Sequence, residues 1–423
     1  MLSFDSSLLS LAKEAEAEIK NVFDTIDSLS FQNQKKVLEA FREERVSAEC
    51  FHATSGYGYD DMGREVLDRV FAKVFEAESA FVRHSILSGT HALTIALFGL
   101  LRPGDTMLAI TGTPYDTLQS VIGLTGKTGG GSLKDFGIRY EEIDLLPDSR
   151  LDEEKIRSRL QSSDVKMVYL QKSPGYSTRR PLGNDTVKKA VELVKACGSN
   201  AFVVVDNCYA EFCEAHEPCF YGADLCIGSL IKNPGGGMAE SGGYLAGSNE
   251  AVSLCAQRYS CAGIGLEIGA TLGQTKNMFK GIFYAPHTVA QALKTAAFSA
   301  ALFEKMGYSV IPGARERRYD IVQQISLMDP KKVEHFCKGL QSASPVDSYV
   351  VPIPWAMPGY QDPVIMAAGA FTQGSSIELS ADAPMRDPFT VYLQGGLTYE
   401  SAKLGILAAA QEVLNTKQEE KSN

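Results

Sequence analysis

Two residues in the stretch Val203–Met238, VVVDNCYAEFCEAHEPCFYGADLCIGSLIKNPGGGM, stand in settings suited to covalent chemistry. Phe202 to Val205 is a continuous β-branched and aromatic run, the pattern of a strand buried on both faces, and Asp206 closes it. A carboxylate there is costly unless a cation faces it. Asp224 to Ser229 reads as a second short strand, which delivers Lys232 into a turn that Pro234-Gly235-Gly236-Gly237 leaves almost bare of side chains. An amine held by close backbone, flanked by a hydroxyl and with an aspartate one strand away, suits a covalent imine to a phosphorylated aldehyde cofactor.

The elements that must position this pair alternate along the chain. Strand patterns at Thr106–Ile110, Lys166–Leu170 and the run ending at Asp206 are separated by helical patterns, including Asp185–Cys197. Strand, helix, strand in repeated order implies crossover connections and a mostly parallel sheet covered on both faces, an α/β fold. Ser88-Gly89-Thr90 opens a helix whose Leu93, Ala96, Leu97 and Leu100 are spaced for burial. Such a terminus offers free N–H groups and the positive end of the helix dipole to a phosphate; it is equally an ordinary Ser N-cap. Tyr115 lies just past the end of the Thr106–Ile110 strand, on the edge where open α/β sheets bind ligands. Gly123–Leu133, GLTGKTGGGSL, contains Gly-Lys-Thr, but Val121 stands where a P-loop needs glycine, so it reads as a surface loop.

Residues 5 to 48 carry an apolar stripe at helical spacing, from Leu8 and Leu11 to Phe23 and Ile26. This predicts a helical arm, packed either on its own chain or on a partner. From about Ala285 the pattern changes to a helix at His287–Met306, a strand at Tyr308–Ile311, a helix at Pro330–Ala343 and a late segment, Ile377–Glu400. Three units follow: an arm over 1–55, a large α/β domain over 56–285 and a smaller α+β domain over 286–423.

The 423 residues are enough for two or three domains. A net charge of −10 argues against nucleic acid, and no apolar run of membrane-spanning length or signal segment is present. Nine cysteines, an odd number without a C-x-x-C pair, fit buried thiols in a reducing cytoplasm. Cys208, Cys213, Cys219 and Cys226 cluster, but their widening spacings match no ligand knuckle, so no metal is expected.

Pyridoxal 5'-phosphate asks four things of a protein: a lysine for the imine, a carboxylate to keep the pyridine nitrogen protonated, an aromatic cover and donors for the phosphate. Lys232, Asp206, Tyr115 and the group Ser88, Gly89, Thr90 and Ser229 answer these in turn. Their order along the chain, with Ser229 three residues before Lys232, resembles the fold-type-I pyridoxal-phosphate enzymes of the Cys/Met-metabolism group. Segments such as SGYGYDDMGRE, LSGTHAL, TGTPYDTL, DNCYAEF, IKNPGGGMA, MPGY and IELSADAPMRDP are similar to the methionine γ-lyase-like family, also labelled aluminium-resistance protein, over about residues 30–412.

That resemblance implies the transferase-like fold, a Schiff-base role for Lys232 and a homodimer or homotetramer with sites shared across the dimer. It also implies that Tyr59, with Tyr57 and Arg64 in the same loop, reaches the neighbouring subunit's cofactor or substrate. The group's carboxylate-binding arginine has no counterpart in Val391–Gly396, which leaves Arg386 as the candidate for the substrate carboxylate, against a plain surface salt bridge to Asp387 or Asp382. Lys172 and Tyr176 occupy a strand-end loop like one that approaches the cofactor's hydroxyl edge in relatives. The activity implied is a carbon–sulfur lyase of the methionine γ-lyase or cystathionine β-lyase type, working on a small amino-acid substrate through the Lys232 aldimine. A γ-replacement transferase or aminotransferase uses the same residues. An ATP-binding protein, with FVVVD as a magnesium-holding strand end, is the reading from another class.

Overall fold

The computed structural model describes residues 3–357 and 360–422, with side chains described through Thr416. Pro358 and Gly359 of the MPGY motif lie outside the described residues. Seven strands form the large sheet: β1 (Ser79–Arg83), β2 (Thr106–Ala109), β3 (Arg139–Glu142), β4 (Val165–Gln171), β5 (Phe202–Asp206), β6 (Leu225–Ser229) and β7 (Gly243–Gly247). Their order is β1-β7-β6-β5-β4-β2-β3. The pairs from β3 to β6 are parallel, as the alternating pattern predicts, while β7 and β1 join antiparallel at one edge. Val203, Val204 and Val205 are all buried, which accounts for the unbroken apolar run of β5.

The helices are α1 (Ser6–Glu18), α2 (Lys20–Glu43), α3 (Met62–Val74), α4 (Gly89–Leu100), α5 (Asp116–Ile122), α6 (Glu153–Arg159), α7 (Asn184–Ala196), α8 (Asn249–Tyr259), α9 (Thr275–Lys305), α10 (Pro330–Ser342) and α11 (Tyr399–Ser422). Helices α4 and α8 pack on one face of the large sheet, and α3, α7 and part of α9 on the other. A second sheet, ordered β10-β11-β12-β9-β8, is built from β8 (Ser309–Ile311), β9 (Gln323–Ser326), β10 (Val364–Ala368), β11 (Ser380–Pro384) and β12 (Thr390–Gln394). It is antiparallel throughout and shares a core with α1, α10, α11 and the end of α9.

The structure decides one alternative that the sequence left open and departs from the sequence reading at one point. The arm is two helices packed on their own chain: Leu8, Ala12, Ala15 and Ile19 enter the small-domain core, and Ile26, Val37 and Ala40 the large one. Helix α9 begins at Thr275, twelve residues before the expected His287, so the division at 285/286 falls inside one continuous helix. Pro286 removes one backbone donor, but Met278, Phe279, Ile282, Val289 and Leu293 are buried on both sides of it, and that burial carries the helix through. Residues from Met278 to Leu293 belong to the large core and those from Ala297 to Phe303 to the small one. Helix α9 is therefore the rod that joins the two cores.

Candidate active site

Parallel pairing aligns Gln171, Asp206 and Ile227 at the carboxyl ends of β4, β5 and β6, and the chain beyond β6 turns at once through Lys232. Side chains from these three ends therefore converge on one edge of the sheet, where the N-terminus of α4 also points. The result is a cavity of about 190 Å³ lined by Ser88, Gly89, Thr90, Tyr115, Asp206, Cys208, Tyr209, Ser229, Lys232 and Tyr360, among others.

Asp206 lies at its base, buried. Its Oδ1 accepts the Cys208 N–H at 3.1 Å and its Oδ2 the Tyr169 hydroxyl at 3.3 Å. Burial pushes its carboxyl above the usual range, and the charge of Lys232 opposes the shift. Lys232 Nζ sits 3.8 Å from the centre of the Tyr209 ring. Burial alone disfavours its charge, but Cys208, Tyr209, Asp206 and Glu211 outweigh that and hold the amine above its ordinary range. Among the lining residues Lys232 is the one cation and Asp206 the one carboxylate.

Opposite Asp206, Ser88 caps α4 by accepting the His91 N–H at 3.1 Å, which leaves the hydroxyl proton free to donate outward. The cap and the phosphate cradle are thus compatible. Thr90 and Thr117 hydroxyls are 2.6 Å apart, and Ser229 is buried beside them. Gly89 carries no Cβ for a local reason: one there would stand 3.3 Å from Cys208 Sγ and 3.6 Å from Ser229 Cβ, inside the cradle. Tyr115 forms the side wall. Its N–H donates to Gln171 Oε1 at 2.8 Å and its hydroxyl pairs with Tyr360 at 2.9 Å. A carboxylate base, an amine, an aromatic wall and a donor-rich helix end are the donor set that a phosphorylated pyridine aldehyde requires, and they fit it.

Lys232, Asp206, Tyr115, Ser88, Gly89, Thr90 and Ser229 thus share one cavity. Tyr57 and Tyr59 do not: both are exposed, with rings 5.6 Å apart, on a loop held by Arg64 to the carbonyls of Gly58 (2.7 Å) and Gly269 (3.0 Å). Arg386 lies outside the lining. It pairs with Asp362 at 3.0 Å and donates to the Tyr176 carbonyl at 3.1 Å, so its partner is neither Asp387 nor Asp382. Lys172 points away from the cavity, buried against Asn184 Oδ1 (2.8 Å) and Glu214 Oε1 (3.2 Å). The sequence reading missed Tyr209 and Tyr360. Tyr209 follows β5 in a turn with φ of 72°, a conformation disfavoured for a bulky residue, which brings its ring to Lys232. Among the described residues there is no cluster of His, Cys, Asp or Glu suited to a metal ion, and no helix long and apolar enough to cross a membrane.

Comparison with known proteins gives consistent results. The model of the methionine gamma-lyase family matches residues 8–414. The uncharacterized Bacillus subtilis protein YnbB is 45% identical over 413 residues, 98% of each chain. A solved carbon-sulfur lyase involved in aluminum resistance from Clostridium novyi NT is 47% identical, with 97% of this chain and 96% of that one covered at a TM-score of 0.93. The pyridoxal-5'-phosphate dependent protein YhfS from Escherichia coli, at 16% identity, 92% and 97% coverage and a TM-score of 0.61, shares the fold.

Proposed function

The chain belongs to the methionine gamma-lyase family, and from that premise we propose that it is a pyridoxal-phosphate-dependent carbon–sulfur lyase acting on a sulfur amino acid, of the methionine γ-lyase or cystathionine β-lyase type. One observation carries the reading: Lys232 and Asp206 line the same cavity as the open N-terminus of α4.

Pyridoxal phosphate, when bound, supplies the electron sink for the pair left at the substrate Cα. Asp206, held by Cys208 N–H and the Tyr169 hydroxyl, would keep the ring nitrogen of the bound group protonated. Ser88, Gly89, Thr90 and Ser229 are the residues that would hold its phosphate at the helix terminus. Lys232 Nζ is the anchoring amine. Once the substrate amine has taken its place, Nζ removes the Cα proton and returns one when the thiol leaves from Cβ or Cγ. Tyr115 would cover the ring of the bound group and, with its partner Tyr360, screen the reacting carbon from water. Arg386, at the rim beside Tyr176, grips the substrate carboxylate after exchanging Asp362 for it. The exposed Tyr57 and Tyr59 serve the site of a second copy, in a homodimer or a pair of such dimers.

The test is incubation of purified protein with methionine, cystathionine and cysteine, scoring 2-oxo acid and thiol against pyridoxamine. Release of thiol and 2-oxo acid, abolished in Lys232→Ala, supports the lyase. Pyridoxamine formation without thiol makes the protein an aminotransferase, and a Lys232→Ala variant that keeps both cofactor and activity removes the reading altogether.

A further inference from the structure

A second cavity, of about 560 Å³ against about 190 Å³ for the catalytic one, opens between α2, residues Cys213 to Ala215 and the loop that follows β8. No residue that lines it lines the catalytic cavity. Along α2, Val22, Ile26 and Leu29 fall at i, i+4 and i+7 and so share one flank, and Leu293 of α9 lines the same space. These side chains make the walls largely apolar.

The loop after β8 brings four charged residues to this cavity, Arg315, Glu316, Arg317 and Arg318. Three of them have partners. Arg315 pairs with Glu18 at 3.6 Å, Arg317 with Glu214 at 3.3 Å, and Glu316 with Arg180. Arg318 has none. It is only 6% exposed, and its Nε, Nη1 and Nη2 each lack a hydrogen-bond partner among the described residues. Asp320, Glu304 and Glu316 act on its charge through space, but none of them forms an ion pair with it. Burial pulls the guanidinium down to about 10, which still leaves it charged at neutral pH. A buried cation whose donors are all unmet is costly to hold, and an anion that meets them recovers that cost.

The complement of such a site follows from its parts. One unpaired guanidinium in an apolar cavity asks for a single negative charge, planar enough to match its fork, on an apolar body. A phosphate dianion suits it less, because Glu214 and Glu316 line the same space. We infer that this cavity is a second ligand site, which binds a small organic carboxylate with its carboxylate on Arg318 and its apolar body against Val22, Leu29 and Leu293. The inference stands apart from the lyase reading, since it uses no residue of the catalytic cavity.

The experiment is isothermal titration of the pyridoxal-phosphate-loaded full chain with hexanoate and with hexanamide, its neutral counterpart. The expected result is saturable binding of hexanoate, at least about 10-fold tighter than hexanamide, the size of one charge-assisted hydrogen bond. Arg318→Met weakens hexanoate binding by about 10-fold or more, whereas Arg386→Gln, at the catalytic rim, leaves it within about threefold. Thr25→Trp, at an exposed position of the cavity wall, fills the space and also weakens binding, which keeps the test decisive if Arg318→Met does not fold. Hexanoate binding that persists in Arg318→Met and Thr25→Trp but is lost in Arg386→Gln places the carboxylate in the catalytic cavity and overturns the inference. Equal binding of hexanoate and hexanamide, or no saturable binding of hexanoate up to about 10 mM, overturns it as well.

Discussion

Replacing Asp382 by Asn should stabilise the cofactor-free protein near neutral pH, because the wild-type residue is a charge held where burial opposes it. The carboxyl is raised from 3.8 to about 6. A rise of that size corresponds to about 3 kcal/mol, and the residue's partial exposure reduces this to about 1–2 kcal/mol. The sign follows from proton binding: between pH 4 and 6 the folded chain holds a proton on Asp382 that the unfolded chain has released, so this group's contribution to stability falls as pH rises through that window. Above about pH 6 the full penalty is present, and below about pH 4 it vanishes. Asparagine does not titrate and its carbonyl still accepts from Gln394 Nε2. Urea titrations of both proteins from pH 4 to pH 8 should therefore give curves that nearly meet at the acid end and separate by about 1–2 kcal/mol above pH 6 in favour of the variant. A variant less stable than wild type at pH 7.5, or a difference independent of pH, refutes the reasoning, since Asp382 would then be a structural anchor.

Asp206→Asn should retain some cofactor but lose about 10²–10³-fold in kcat/KM, as expected when one partner of a buried charge pair is removed at about 3–5 kcal/mol; cofactor titration and steady-state kinetics check this. Gly235→Ala places a Cβ against the Leu230 carbonyl oxygen, far inside contact distance, so the turn carrying Lys232 has to move. The expected result is a protein destabilised by about 3 kcal/mol or more in urea that no longer captures pyridoxal phosphate. Glu214→Gln leaves the buried Lys172 ammonium without its carboxylate and should cost about 3–5 kcal/mol in urea, while the folded fraction keeps its turnover because Lys172 faces away from the cavity.

The positions that share the cavity and could be read from sequence are those whose chemistry is tied to a local element. Asp206 ends a buried strand, Tyr115 follows one, Ser88 opens a helix and Lys232 enters a glycine turn, and each signal lies within a few residues of the group itself. Tyr209, Tyr360 and Asp382 carry no such local mark. Tyr209 depends on a left-handed turn, and Tyr360 reaches Tyr115 across 245 residues of chain. Asp382 faces away from the small-domain core only because β11 pairs in one register and not the next, which would exchange its faces. The partner of Arg386 was hidden for the same reason. Pairing of Val364 with Pro384 draws Asp362 alongside it, ahead of the acids nearer in sequence. The start of α9 was obscured by Pro286, a residue that usually ends helices but here is carried by the two cores its helix joins.

Borohydride reduction of the purified, pyridoxal-phosphate-loaded protein, followed by peptide mass spectrometry, tests the central claim most directly. A phosphopyridoxyl group on the peptide containing Lys232, absent from Lys232→Ala, is the result the account predicts. The same modification on another lysine, Lys172 included, or no specific modification, contradicts it.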